Sequence, residues 1–129
     1  MYQYFGWLRL REAEDGSNPG SLEEIFTKVE TEISLLEMPQ AEIGIRWLNG
    51  SAHIWLTGYA NRAEPDREVI HGFVRKVISM AQGTYGLIYE RDDESEGEDS
   101  DFFVVLSIGR GGVQISRDTL LSPCSKKIE

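Results

Sequence analysis

The chain has 129 residues, 40% of them hydrophobic and 27% charged, which are proportions typical of a soluble globular protein. Its length fits one compact domain over residues 1–129, and no apolar run reaches the about 20 residues that a membrane-spanning helix needs. The opening MYQYFGWLRL lacks the basic lead and cleavage site of a signal peptide, and the single Cys124 excludes an internal disulfide. We therefore expect a cytoplasmic protein.

The formal net charge of −9 is concentrated in one segment. Seven of the 22 acidic residues lie between positions 92 and 101, and the remaining 15 nearly balance the 13 basic residues. An acidic pole of this kind repels nucleic acid and anionic membranes, and it attracts basic proteins. The acidic run consists of Asp92, Asp93, Glu94, Glu96, Glu98, Asp99 and Asp101.

The chain begins with a predicted strand and helix. Residues 2–11 alternate as a strand does, and EDGSNPG at 14–20 is rich in loop-forming residues. Ser21 and Glu24 have the spacing of a capping box, which predicts a helix beginning there, and Pro39 lies just past its end. The apolar stripe of this helix comprises Leu22, Ile25, Phe26, Val29, Ile33 and Leu36.

Two strand-like runs follow, joined by Asn49-Gly50, a dipeptide that favours the two-residue turn of a β-hairpin. Such a turn sets the pairing, so that Leu48 is opposite Ser51, and alternation then divides the side chains between two faces. We expect the core face to carry Ile43, Ile45, Trp47, Ala52, Ile54 and Leu56. The opposite face carries Arg46, His53, Trp55, Thr57 and Tyr59.

A second helix begins at Pro65, with Asp66 and Glu68 in its first turn, and Gly83 is placed to end it. TYGLIY, FFVVLSIG and VQIS then indicate three strands, with a hairpin turn at GRGG, 109–112. The predicted fold is a single α+β domain with a mostly antiparallel sheet and two helices packed on one face, in the order β-α-β-β-α-β-β-β. The buried stripe of the second helix comprises Val69, Ile70, Phe73, Val74, Val77, Ile78 and Ala81.

Two other interpretations of the acidic run compete with partner binding. Counted from Asp92, the acids and Gly97 resemble a calcium-binding EF-hand loop, but position 12 is Phe103, where a bidentate Glu is required. A block of like charge is also typical of a solvated, mobile loop. The location of the run between two apolar strands of a rigid sheet favours a functional loop instead. We expect no metal and no other cofactor.

The usual catalytic residue types do not combine into an active site. His53 and His71 have no metal-ligand spacing between them, and Cys124 lies beside a proline in the tail without a nucleophile elbow. Clustered, solvated carboxylates keep ordinary pKa values and are poor acid–base catalysts. We therefore expect a protein without enzymatic activity.

Four aromatic residues, Phe5, Trp7, Trp55 and Tyr59, fall on one sheet face by alternation. RNA-recognition domains present bases with a stacking surface of this kind, but the net charge opposes phosphate binding. Ordinary burial tendencies favour half-buried packing in the sheet. Where such residues are exposed, they are better interpreted as anchors for a protein partner.

Several segments carry a further signal when they are taken in order. They are Tyr4-Phe5-Gly6-Trp7, the Asn-Gly hairpin, GYANR at 58–62, TYGLIYERDDE at 84–94, FFVVLSIGRGG at 102–112 and the closing RDTLLSPCSKKIE. Together they resemble the immunity protein 7 family of bacterial polymorphic toxin and contact-dependent inhibition systems. The resemblance covers nearly the whole chain, and the predicted first helix is its least distinctive part.

The resemblance implies a small cytoplasmic protein, encoded beside a toxin, that binds the effector domain of the toxin and blocks its active site. Such effectors are frequently nucleases, whose basic clefts an acidic loop can fill. The family motif matches at Asp92, Asp93 and Glu94, and we expect the whole acidic run, with Trp55 and Tyr59, to contact the toxin. The alternative is a regulatory or adaptor module in which the acidic loop is only solvated. The oligomeric state is not predicted.

Overall fold

The computed structural model describes residues 1–17, 20–94 and 102–118. In this part of the chain, two helices pack on one face of a six-stranded sheet, which confirms the predicted fold class and element order. The helices are α1 (Leu22–Ser34) and α2 (Asp66–Met80). The strands are β1 (Tyr2–Arg9), β2 (Ala41–Leu48), β3 (Ser51–Ala60), β4 (Tyr85–Asp92), β5 (Val104–Gly109) and β6 (Gly112–Arg117). None of the helices described is both long and apolar enough to cross a membrane.

The strands lie in the order β2-β3-β1-β4-β5-β6, and every neighbouring pair is antiparallel. The first four strands and the two helices have the split β-α-β arrangement of ferredoxin-like folds. The β5–β6 hairpin extends this arrangement at the β4 side. In this strand order β1, the first strand of the sequence, lies inside the sheet between β3 and β4.

Both predicted hairpin turns are confirmed by the backbone. Asn49 and Gly50 have φ angles of 51° and 77°, and the pairing runs from Leu48 opposite Ser51 as predicted. Arg110 and Gly111 have φ angles of 51° and 75° and connect β5 to β6. Positive φ at both central residues gives a two-residue turn whose twist matches that of the strands, and this turn fixes the register.

The core lies between the helices and the face of the sheet that they cover. The predicted stripes of both helices face it, and from β3 it receives Ala52, Ile54 and Leu56, all almost fully buried. Trp47 also lies on this face and stacks on Phe26 of α1, with centroids 4.9 Å apart, but it stays 41% exposed because β2 is at the edge of the sheet. Neither of the two helices in the described part of the chain covers the other face of the sheet.

The capping box predicted at Ser21 and Glu24 is wrong. Ser21 does precede α1, and its carbonyl accepts the first helical hydrogen bond from the N–H of Ile25 at 3.0 Å. Its side chain makes no capping hydrogen bond, because its ψ of 7° is not the extended conformation from which an N-cap side chain reaches the amides of the first turn.

The prediction that Gly83 ends the second helix is also wrong. The helix ends at Met80, followed by Ala81 with φ −145°. Gly83 lies instead against the segment after β1, where its N–H donates to the carbonyl of Arg11 at 3.0 Å. A Cβ at this position would lie 1.9 Å from the carbonyl oxygen of Ala13, so the glycine permits two chain segments to approach closely.

Candidate partner-binding surface

The face of the sheet opposite α1 and α2, which we call the open face, carries a set of large aromatic side chains. Alternation in β1 directs Phe5 and Trp7 to this face, and alternation in β3 directs Trp55 and Tyr59 there. Their exposed fractions are 45%, 42%, 42% and 51%, so each keeps about half of its surface in contact with solvent. Exposed apolar patches of this kind mark interaction sites in soluble proteins.

Neighbouring rings hold the aromatic side chains of the open face in place. Phe5 stacks on Tyr89 of β4 with a centroid distance of 5.1 Å and an interplanar angle of 4°, and Phe103 meets Phe5 edge-on at 5.5 Å. Trp7 packs edge-on against Tyr85 at 5.9 Å. Rings that are already ordered lose little conformational entropy when a partner covers them.

Trp55 owes its orientation to a glycine on the adjacent strand. Its indole lies over Gly44 of β2, and a Cβ added to Gly44 would be only 2.1 Å from the Cζ2 atom of that ring. The absence of a side chain at position 44 therefore lets the indole lie across the sheet surface. Near the end of the same face, Phe5, Glu42 and Tyr59 border a shallow depression of about 370 Å³, large enough for a side chain of a partner.

The other end of the open face is basic. Arg9 donates from Nη1 to the hydroxyl of Tyr85 at 3.0 Å and from Nη2 to Nε2 of His53 at 3.3 Å. The guanidinium of Arg11 lies 4.6 Å from the centre of the Tyr85 ring, and Arg46 of β2 is opposite His53 in the pairing of β2 with β3. The face therefore runs from a basic end through an aromatic middle.

At the opposite end of the sheet, β4 continues three residues beyond the predicted TYGLIY strand and includes the first acid of the acidic run. Asp92 is half-buried, and its Oδ2 accepts a hydrogen bond from Nη2 of Arg67 at 3.0 Å. The carboxylate of Asp93 accepts one from the terminal amine of Met1 at 2.6 Å. Glu94 is exposed, and its N–H donates to Oδ1 of Asp92 at 3.0 Å.

The structure thus places the first three predicted acids in two distinct environments. Asp92 and Asp93 each have a cation of this chain as partner, so their carboxylates also fix the start of the loop. Glu94 is directed to solvent. The remaining predicted acids, Glu96, Glu98, Asp99 and Asp101, lie outside the described residues.

The acidic end and the open face adjoin each other. Tyr2 pairs with both Ala60 of β3 and Asp92 of β4, so the ends of these two strands flank the start of β1. Tyr59 therefore lies at the acidic end of the sheet. Trp55 lies four residues earlier in β3, which corresponds to about 13 Å along a strand. The predicted anchor Tyr59 and the start of the acidic run therefore lie at the same end of the sheet, where the carboxylate of Asp92 is on the helix side with Arg67.

Beneath the acidic end lies a buried carboxylate that the sequence analysis missed. Glu90 of β4 faces the helices with 7% of its surface exposed, and its Oε2 accepts a hydrogen bond from the hydroxyl of Tyr2 at 2.5 Å. Nε2 of His71 on α2 donates to both carboxylate oxygens, at 3.0 and 3.1 Å. Arg67, one turn before His71, lies over the Tyr2 ring and binds Asp92.

These contacts perturb the acid–base behaviour of the cluster. Burial by itself would raise the pKa of Glu90, but hydrogen bonds from His71 and Tyr2 and the charges of His71 and Arg67 outweigh it, so the pKa of Glu90 is lowered. Burial and the bond to Glu90 raise the pKa of the Tyr2 hydroxyl. Glu90 is therefore ionised at neutral pH and ties β1, β4 and α2 together.

A local signal for this cluster is present in the sequence. Glu90 occupies a position that faces the core in the alternation of β4, after Gly86 and Ile88, and a carboxylate at such a position requires partners. Arg67 and His71 are spaced i, i+4 on α2, which places both on one side of the helix. Tyr2 has no such signal because it is 88 residues from Glu90.

Among the residues described, no group of three or more His, Cys, Asp or Glu side chains converges to hold a metal ion.

What the fold presents is a broad, preformed surface with an aromatic centre and an acidic end, which defines a small α+β binding protein. The family model of immunity protein 7 matches residues 1–129, and the chain belongs to this family of immunity proteins of toxin systems. No curated protein and no solved structure matches the chain.

Proposed function

We propose that this protein neutralises a cognate toxin by covering the active site of a basic effector domain, a nuclease, with the acidic end and the open face of its sheet. The family supports binding of a cognate toxin protein in general. The observation that carries the finer proposal is that charge and aromatic anchors adjoin on one rigid sheet. A nuclease cleft is basic because it binds phosphate, and it is therefore complementary to the acidic run.

The acidic run supplies long-range attraction in this proposal. Asp92 and Asp93 share their carboxylates with Arg67 and Met1, so we expect them to contribute less to the partner than Glu94 does. The other four acids, Glu96, Glu98, Asp99 and Asp101, add to the same field. Electrostatic steering of this kind brings association rates to about 10⁸–10⁹ M⁻¹s⁻¹ at low salt.

The aromatic side chains supply the short-range contacts. Trp55 and Tyr59 present ordered, half-exposed rings, and Phe5 and Trp7 extend the same surface. Large aromatic residues dominate the energetics of protein interfaces because they remove much apolar surface from water at little entropic cost. Inhibition is then stoichiometric occlusion by a cytoplasmic binding protein that carries out no reaction of its own.

A charge-neutralising variant tests the electrostatic part. The binding partner is the C-terminal domain encoded by the neighbouring toxin gene, and association is followed by stopped-flow mixing at several salt concentrations. The loop variant combines Glu94→Gln, Glu96→Gln, Glu98→Gln and Asp99→Asn. We expect its association rate to fall by roughly tenfold or more at low salt and its salt dependence to flatten.

The matched control removes the same charge from another place. It combines Glu23→Gln, Glu24→Gln, Glu30→Gln and Glu37→Gln, which are exposed residues on or just after α1. Equal slowing by the two variants would show that only net charge matters and would reject the acidic run as the contact. An unchanged rate in the loop variant would reject it as well.

Anchor variants test the aromatic part. Trp55→Ala and Tyr59→Ala should each accelerate dissociation of the toxin, with losses of affinity of about 2 kcal/mol, or roughly 30-fold, at a well-packed anchor. Leu35→Ala is the control, because Leu35 is exposed at the end of α1, on the helix side of the sheet. If neither aromatic variant changes dissociation, the open face is not the interface.

The alternative is a regulatory or adaptor module with a solvated acidic loop. Growth of cells that produce the toxin domain separates the two proposals. An immunity protein restores growth when it is co-expressed, and purified protein inhibits the toxin at a one-to-one ratio. An adaptor that binds elsewhere leaves the toxin active.

A further inference from the structure

We infer that the outer edge of β6 pairs with β6 of a second copy of this chain, which forms a symmetric dimer with one continuous sheet. In the part of the chain that the structure describes, β6 is the last strand of the sheet. This inference does not depend on the identity of the toxin or on the open face.

The first observation is the direction of the backbone groups of β6. Its two-residue turn makes Gly109 and Gly112 a hydrogen-bonded pair, and such pairs alternate with non-hydrogen-bonded ones along an antiparallel ladder. The N–H and C=O groups of Val113, Ile115 and Arg117 therefore face away from β5. Three alternate residues present their main-chain groups on the outer side of the strand.

The second observation is that, within residues 1–17, 20–94 and 102–118, nothing gives this edge the usual protection. Sheet edges of monomeric proteins are commonly blocked by lysine, proline, a bulge or inward-pointing charge. The sequence of β6, GVQISR, has no such residue before its last position. Val113 is 40% and Ile115 61% exposed, and both border a groove of about 140 Å³ between β6 and α2. The opposite edge strand, β2, carries the charged residues Glu42 and Arg46.

The third observation is that the edge is complementary to itself. When two copies pair antiparallel about Ile115, the three outward positions meet one another, with Ile115 opposite Ile115 and Val113 opposite Arg117. A shift of the register by two residues in either direction loses one of these outward pairings.

Symmetry sets what the dimer looks like. The twofold axis of an antiparallel strand pair is perpendicular to the sheet, so the helices of both copies stay on one side and both open faces stay on the other. Two six-residue edges form a small interface, below the about 1,200 Å² of stable complexes, and we expect a dissociation constant in the micromolar range. Dimer formation and access to the open face are therefore compatible.

The test measures the mass of the full chain by sedimentation velocity from about 5 to 500 µM, the range where an interface of this size is populated. The wild type should shift from monomer to dimer across this range. Ile115→Lys should stay monomeric, because it places two like charges opposite each other on the twofold axis. The control, Gln114→Lys, changes the neighbouring residue on the other face of β6 and should still dimerise.

Disulfide trapping tests the register. In a Cys124→Ser background, Ile115→Cys brings two thiols to within cross-strand distance, and oxidation should give a covalent dimer at micromolar protein. Gln114→Cys should remain monomeric under the same conditions, since residue 114 is opposite residue 116 of the partner. A wild type that is monomeric at every concentration, or a dimer that Ile115→Lys does not dissociate, would overturn the inference. Trapping through position 114 instead of 115 would also overturn it.

Discussion

Tyr2→Phe isolates one hydrogen bond of the buried cluster beneath the acidic end. Phenylalanine keeps the ring that packs on Tyr4 at 5.3 Å and lies under Arg67, so the substitution removes only the hydroxyl. Glu90 then loses a donor at 2.5 Å while it remains buried and ionised. The carboxylate keeps His71 as its partner, which makes this a graded perturbation.

The expected loss of stability follows from the nature of that bond. A buried hydrogen bond to a charged group contributes about 1.5–3 kcal/mol to the free energy of unfolding. For a domain of this length, the corresponding fall in Tm is roughly 5–12 °C. Urea unfolding at pH 7, followed by circular dichroism, measures the free-energy difference directly.

The difference between the two proteins should depend on pH in a defined direction. Because the pKa of Glu90 is lowered in the fold, its ionised form stabilises the protein above the unfolded pKa of about 4.3, and this contribution is lost as the pH falls through the folded value. The hydroxyl of Tyr2 acts on that ionised form. The gap between wild type and Tyr2→Phe should therefore be largest near neutral pH and should narrow in acid.

Tyr59→Phe is the matched control, since it deletes the same atom from an exposed ring on the other face of the sheet. Its stability should stay within about 0.5 kcal/mol of wild type, as is usual for surface substitutions. An equally neutral Tyr2→Phe would show that the hydroxyl does not stabilise Glu90. A gap that fails to narrow at any pH between neutrality and acid unfolding would show that the lost interaction does not involve an ionised Glu90.

Three further substitutions have definite expected outcomes. Gly44→Ala should displace the Trp55 indole from the sheet surface and thereby weaken toxin binding. The tryptophan emission spectrum measures the displacement, and an unchanged spectrum would contradict the packing described for this ring. Leu8→Ala empties a fully buried position of the central strand and should lower the free energy of unfolding by about 2–5 kcal/mol in a urea titration. A loss below 1 kcal/mol would not fit that burial. Arg67→Gln removes the cation beside Asp92, and amide exchange at residues 92–94 should accelerate, whereas unaltered protection there would mean that the ion pair does not hold the loop.

Local patterns predicted the elements whose geometry is set by local chemistry. The Asn49-Gly50 turn fixes its own register, so the pairing down to Ile43 opposite Leu56 followed from the sequence and is confirmed. The apolar stripes of the helices are likewise confirmed, because helical spacing alone decides which side chains share a face. Ser21 and Gly83 were wrongly assigned, since the backbone conformation at each depends on how neighbouring segments pack.

The candidate site was predictable only in part, for the same physical reason. Alternation placed Trp55 and Tyr59 together on one face, but it did not show that α1 and α2 both pack on the opposite face. The pairing of Asp92 with Arg67, and of Glu90 with Tyr2, joins residues that are 25 and 88 positions apart. Such contacts follow from the strand order, which local propensities do not determine.

The position of β1 in the sheet has a consequence for the synthesis of the protein. Residues 2–9 are translated before both of their neighbouring strands, which are complete only at Ala60 and Asp92. At about 5–20 residues per second, a ribosome needs roughly 4–17 s to proceed from Arg9 to Asp92. Pairing over such sequence separations adds its own delay. Protection by newly made protein would lag behind an incoming toxin by at least this interval, so a stock of folded molecules serves immunity better than synthesis on demand.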